Sequence, residues 1–231
     1  DPLWSRGLGD VYKRQDIEGD INHADFLARI DCINSCGYEV LVSNFFEYYK
    51  LSAFLRHNIR KPIGLVMGIN NLADIFKEKY YETLQGGILE AFGILFKDNI
   101  RIYAYPIEKE NFERYRKQIG IGDNVEFEMT DDGLVTIDNL LVAKNLRNLY
   151  KYIRENGVLE SIQDCERSNM GVFSRDAFER VQERKDGWSE IVPICVAELI
   201  KKKNLWSANK GTPNGHPLPL PSGKLVGHPV Q

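Results

Sequence analysis

Small polar residues stand directly after three apolar runs in this sequence, where a ligand could be held. They are Ser43 and Asn44 after EVLV, Gly68 at the end of IGLVMG with Asn70 and Asn71 beyond it, and Tyr105 at the end of IRIYAY with Pro106 next. A glycine lets backbone approach a bound group closely, and a helix beginning there offers free N–H groups to an anion. Serine and asparagine donate or accept at the same edge. Together they suit a phosphate or carboxylate group. They equally suit helix capping with no ligand, and both readings stand at this point.

Other chemistry-bearing residues fall at helical spacing. Glu47, Tyr48 and Tyr49 open one helical stretch, and Tyr80 and Tyr81 lie on another. Paired tyrosines bury a ring and need a partner for each hydroxyl, so packing explains them; a stacking surface for a base or pyridine ring is the alternative. Glu78, Glu82 and Glu90 form a surface face. Glu90 is set apart by its apolar surroundings, ILEAFGILF, where an unpaired carboxylate would be costly. No Ser–His–Asp set is present, and the Gly-rich phosphate fingerprints are absent.

The elements that must position these residues alternate helix and strand. A helix capped by Asn22 runs to about Cys36 and ends at Gly37; EVLV at 39–42 reads as a short buried strand. Residues 45–57 are an amphipathic helix, and the strand IGLVMG follows Pro62. A long helical stretch from Asn70 or Asn71 to about Phe96 is interrupted at Gly86-Gly87. The strand IRIYAY stops at Pro106. Three apolar runs separated by helices predict α/β architecture, a Rossmann-like parallel βαβαβ sheet with a C-terminal helical segment. Ligands in such sheets settle outside the carboxyl ends of the strands.

Beyond Pro106 the sequence predicts a helix over 109–119, an edge hairpin pairing VEFEM with LVTI, and a helix over 138–156 ending at Gly157. Two more helices follow at 174–184 and 192–206. Residues 1–15 resemble translated sequencing-adapter remnants, which implies a truncated metagenomic fragment with its own N-terminus missing. Residues 207–231, rich in Pro and Gly, predict a disordered tail. The folded domain is expected over 16–206.

Composition narrows the function classes. With 231 residues, 43% hydrophobic, 27% charged and a formal charge of −3, the chain reads as an ordinary globular protein with no basic surface for nucleic acid. No apolar stretch approaches the ~20 residues of a membrane span, and a cytoplasmic location is expected. Cys32, Cys36, Cys165 and Cys195 are too scattered for a disulfide scaffold and are expected as buried free thiols, with no metal site.

The block VLVSNFFEYYKLSAFL…KPIGLVMGINNLADIFKEKYYETLQGGILEAFG…IYAYP resembles a bacterial family commonly labelled nicotinate-nucleotide adenylyltransferase. Some members carry the label TonB-dependent receptor, whose alternating barrel strands this sequence lacks. The likeness spans most of 16–206. A second stretch, FSRDAFERV…WSEIVPICVAELIKKKNLW, is similar to the closing segment of nicotinate-mononucleotide adenylyltransferases. There a serine-rich turn and an arginine grip ATP phosphates. Ser174 matches the serine and is followed by Arg175 and Asp176; the arginine position holds Glu179, with Arg180 one residue later. Val192, Pro193, Val196, Ile200, Leu205 and Trp206 follow the helix pattern. At the front, GDINHADF matches through Gly19 and His23, and Phe26 occupies the second histidine position.

The resemblance implies adenylyl transfer from ATP to the mononucleotide, releasing pyrophosphate, with Mg²⁺ shared among phosphates. His23 or Arg175 would supply positive charge, and Ser43, Asn44, Gly68, Asn70 and Ser174 would line the site, with Asn71 and Glu90 as further ligand contacts. The implied partner is a small nucleotide or phosphorylated ligand. Two rivals remain. VLVSN imitates the second motif of haloacid-dehalogenase-like phosphohydrolases, a strand ending in serine. An exposed aromatic helix face would instead serve a non-catalytic scaffold or regulatory domain, including a homo-oligomer.

Overall fold

Apolar β-branched runs bounded by Pro62 and by Asn99 form two adjacent strands, β1 (Ile63–Gly68) and β2 (Ile100–Tyr105). They run parallel, with Ile63 opposite Ile100 and Gly68 opposite Tyr105. The computed structural model describes residues 23–43, 45, 47–97, 99–119 and 126–206. The expected leader, the expected tail, Asn22 and Asn44 lie outside the described residues.

The third strand of this sheet is not EVLV. Residues 39–42 carry no regular structure, and Leu41 and Val42 are 60% and 54% exposed. A four-residue strand holds its place only by burying a face and filling a ladder, and this run does neither. The third place goes to Leu159–Ser161, on the far side of β2, with Leu159 opposite Ile102 and Ser161 opposite Ala104. The parallel sheet therefore holds three strands, two of them expected.

Three corrections concern the connecting elements. The long stretch after Gly68 divides into α3 (Ile69–Ile75), a 3-10 turn (Glu78–Tyr81) and α4 (Gly87–Leu95), preceded in the chain by α1 (His23–Asn34) and α2 (Tyr48–Asn58). Gly87 at φ +56° accounts for the restart, since other residues rarely adopt that conformation. The VEFEM–LVTI hairpin does not form. Instead β3 (Ile107–Glu108) pairs antiparallel with β5 (Leu134–Val135), and β4 (Glu126–Phe127) with β6 (Leu140–Leu141). The helix expected over 138–156 shortens to α6 (Arg147–Glu155), because 140–141 is strand; Gly157 sits at φ +65° just past its end. The expected helix at 109–119 is α5 (Lys109–Ile119), and the last two are α7 (Ser174–Gln182) and α8 (Ile194–Lys203), with Leu159–Ser161 as β7.

Alternation along the strands decides where the core sits. Leu65, Met67, Ile102, Ala104 and Leu159 point into one cluster with Leu72 and Phe76 beside α3, Phe92 and Leu95 of α4, and Ile153 of α6. Phe76 meets Phe92 and Tyr150 edge-on, with ring centroids 5.0 and 5.2 Å apart. The opposite face carries Gly64, Val66, Gly68, Arg101, Tyr103, Tyr105 and Glu160. Val66 is 47% exposed there, and Arg101 bridges to Glu160 at 2.8 Å across the strands.

A second, smaller cluster joins α1, α7 and α8 through Cys32, Val181, Val196 and Ile200. Helices α1 and α8 lie antiparallel. Lys203 Nζ reaches Asp31 at 2.6 Å, and the Trp206 indole N–H donates to Asp25 at 2.8 Å. At the other end Cys36 and Cys195 form a disulfide with Cα atoms 5.4 Å apart. The expectation of four unjoined thiols is corrected: Cys32 and Cys165 form no disulfide, and Cys36 and Cys195 are joined. Residues 159 apart in sequence reveal no such pairing by spacing. No helix among the described residues is long and apolar enough to cross a membrane.

Candidate functional site

The carboxyl ends of β1 and β2 meet where Gly68 faces Tyr105. The Tyr105 ring lies against Gly68, so a Cβ built there would come within 3.0 Å of its Cε2 atom. Directly after Gly68 the chain turns into α3. Asn70, on its first turn, has a carbonyl oxygen that is buried and makes no hydrogen bond. Asp74 stands one helical turn further on the same side, half-buried and paired with Lys77 at 2.7 Å; each of these two side chains is only 14% exposed. The rim thus gathers a close backbone approach, an unused acceptor and a shielded ion pair.

This differs from the anion cradle expected from the sequence. At seven residues, Ile69–Ile75 is a short helix, and a short helix sums few peptide dipoles. The Asn70 side-chain oxygen is an acceptor enclosed by its neighbours; a donor such as a ribose hydroxyl or an exocyclic amine reaches it once the side chains covering it move aside. Asn71 is beside it and partly buried.

The other expected site residues are distributed differently. Ser43 is partly buried at the end of the irregular 39–43 segment, outside the sheet. Without a strand there, the phosphohydrolase-like reading of VLVSN loses the element that would carry its serine. Glu90 is exposed, and its Oε2 accepts the Gly86 N–H at 2.9 Å. It closes the turn that starts α4, so the costly buried carboxylate does not arise. His23 is exposed at the first position of α1. Ser174 and Arg175 open α7. His23, Ser174 and Arg175 stand on helices of the second cluster, whereas Gly68 ends β1 and Asn70 and Asn71 lie on α3.

Ser174 nevertheless marks the seam between the clusters. Phe173, just before it, packs on the main core, and Val181 on the same helix packs in the second. Arg114 of α5 spans the seam, lying 4.7 Å from the Phe173 ring and 3.1 Å from the Asp176 carboxylate. Seams of this kind are common places for ligand clefts.

The tyrosine pairs resolve mainly into packing. Tyr49 and Tyr81 are buried with centroids 6.0 Å apart, and the Tyr81 hydroxyl donates to the Ile75 carbonyl at 2.7 Å. Burial pushes the Tyr81 hydroxyl well above the usual tyrosine range, as it does for Tyr150, which donates to the Ile137 carbonyl at 2.7 Å. Tyr80 is 42% exposed, with Lys79 5.3 Å from its ring centre.

Asp132 is a turn residue. The Thr130 hydroxyl donates to it at 2.7 Å and the Leu134 N–H at 3.1 Å, and these bonds hold its carboxyl below the ordinary carboxylate range. Sequence reasoning missed the Asp74–Lys77 pair, whose three-residue spacing was its available signal. It also missed Asn139, a buried side chain that accepts from the Thr136 N–H at 2.7 Å and donates to the Leu134 and Glu128 carbonyls at 2.8 and 2.9 Å.

No protein-family model, curated protein or solved structure matches the chain.

Proposed function

We propose that the chain is a Rossmann-like nucleotide-binding protein related to nicotinate-mononucleotide adenylyltransferases, with its nucleotide held at the rim of Gly68, Asn70 and Tyr105. The observation that supports this reading is the buried, unbonded side-chain oxygen (Oδ1) of Asn70, two residues past the end of a parallel strand. A buried polar atom without a partner costs stability, and a ligand donor at that position offsets the cost. Asn71 adds a second amide at the same edge. In this reading Ser174, at the seam of the two clusters, meets a phosphate, with positive charge from Arg175 or His23.

Among the described residues no group of three or more His, Cys, Asp or Glu side chains could hold a metal. In this reading the magnesium ion would be shared among the nucleotide's phosphates. The chain's own part is to bind and orient the nucleotide.

Titration calorimetry with ATP and with nicotinate mononucleotide tests the proposal, using the full chain and Asn70→Ala. Binding of either nucleotide, weakened roughly tenfold by the substitution, is the expected result; one lost hydrogen bond of about 1.4 kcal/mol gives that factor. Absence of heat with both nucleotides overturns it.

A further inference from the structure

The most constrained chemistry outside the rim is the junction of α1 and α8. Cys36 lies in the turn that ends α1, followed by Gly37 at φ +83°. Cys195 is the second residue of α8, whose cap is Pro193. Their Cα separation of 5.4 Å is inside the window of about 4.4–6.8 Å that a disulfide spans without backbone movement. Ser35 braces the same corner, its hydroxyl 2.8 Å from the Cys32 carbonyl and 3.3 Å from the Cys195 carbonyl. Both cysteines are partly exposed, so a small thiol or disulfide can reach them.

We propose that Cys36 and Cys195 form a reversible dithiol–disulfide site that exchanges with low-molecular-weight disulfides and fastens α8 to α1. Cys195 is the first nucleophile, because a cysteine in the first turn of a helix has its thiolate favoured by the N-terminal end of the dipole. Its sulfur attacks one sulfur of the external disulfide; that S–S bond breaks and one thiolate leaves. Cys36 then gives its proton to water, and its sulfur attacks Cys195 Sγ, expelling the second thiolate. One external disulfide is reduced to two thiols, and two protein thiols become one disulfide, so the electrons balance.

Cys32 is one helical turn from Cys36 and is the obvious competitor. It is buried in the second cluster, and desolvation raises its thiol to about 11, which leaves little thiolate to exchange. The site therefore works as a pair. Its consequence is local, because the cluster that holds α8 has four buried members, Cys32, Val181, Val196 and Ile200. Once the bond opens, the helix is held by those contacts, by partly buried neighbours such as Trp188 and Leu199, and by the Ser35–Cys195, Lys203–Asp31 and Trp206–Asp25 bonds.

The full chain, equilibrated across ratios of oxidised to reduced glutathione, acid-quenched and then alkylated in denaturant, tests this by mass. Two added groups under oxidation and four under reduction, with Cys36 and Cys195 changing together in one transition, are expected. Hydrogen exchange should show residues 194–203 exchanging at least tenfold faster when reduced. Cys195→Ser should show the fast α8 exchange at every ratio, and Cys32→Ser should leave the transition in place. Four alkylated cysteines at every ratio, a bond that survives full reduction, or α8 exchange indifferent to the redox state overturns the proposal. Should Cys195→Ser not fold, Cys36→Ser supplies the same readout.

Discussion

The Tyr105 ring rests on the bare Cα of Gly68, the residue opposite it in the parallel ladder, with its Cε2, Cζ and hydroxyl oxygen 3.0–3.1 Å from where a Cβ would stand. Tyr105 is buried and cannot swing away. Gly68→Ala should therefore destabilise the fold by about 1–3 kcal/mol, the cost of overpacking. Gly64 offers the contrast. Its Cβ would meet Tyr103 at 2.9 Å, but that ring is only partly buried and can move. Gly64→Ala should cost under about 1 kcal/mol, and urea denaturation of both variants measures the difference.

Asn139 ties the 128–139 segment to itself through three hydrogen bonds made by one buried side chain. Asn139→Ala removes all three, while the Leu134 carbonyl keeps its bond from the Thr130 hydroxyl, a loss of about 1–3 kcal/mol. Asn139→Asp keeps the acceptor for the Thr136 N–H but turns a carboxylate oxygen toward two carbonyls. That variant should be more stable near pH 4, where the carboxyl can donate, than at pH 7. Thermal melts at both pH values check the sign.

The buried hydroxyls of Tyr81 and Tyr150 both keep their protons above their ordinary value of 10.0, because burial disfavours the phenolate. The unfolded chain releases those protons near pH 10 and the folded chain does not. Stability is thus full below pH 10 and falls as pH rises beyond it, by about 1.4 kcal/mol per pH unit for each tyrosine. Tyr81→Phe should lower stability at pH 8 by about 1 kcal/mol, through the lost bond to Ile75. It should also flatten the slope between pH 10 and 11 by one tyrosine's share. Denaturant titrations across that range read both effects.

The Cys36–Cys195 bond closes a long loop, since its cysteines are 159 residues apart. Cys36→Ser or Cys195→Ser should lower unfolding stability by about 2–5 kcal/mol under oxidising conditions. Added reductant should bring the parent chain to the same value.

The strands Ile63–Gly68 and Ile100–Tyr105 were legible because each apolar run is bounded by a turn residue and long enough to fill a ladder. Leu159–Ser161 was not: three residues after a helix-ending glycine carry no periodicity, and only β2's free edge makes them a strand. EVLV has the composition of a buried strand but no face to bury, which composition cannot reveal. That Gly68 ends β1 and Asn70 and Asn71 open the next helix could be anticipated from the run IGLVMGINN. The exposed turn-closing role of Glu90 could not, because it depends on where Gly86 turns the chain. The Asn139 hub and the Cys36–Cys195 pair depend on contacts between segments that touch only after folding.

The disulfide also decides how the molecule carries mechanical load. Tension applied at its two ends passes from α1 to α8 through a single covalent link, and the sheet between them bears none of it. In a single-molecule pulling experiment the oxidised chain should give no extension from residues 37–194 at any force below that of bond rupture. Reduction should release a hidden length on the order of 500 Å, the extended span of the 159-residue separation.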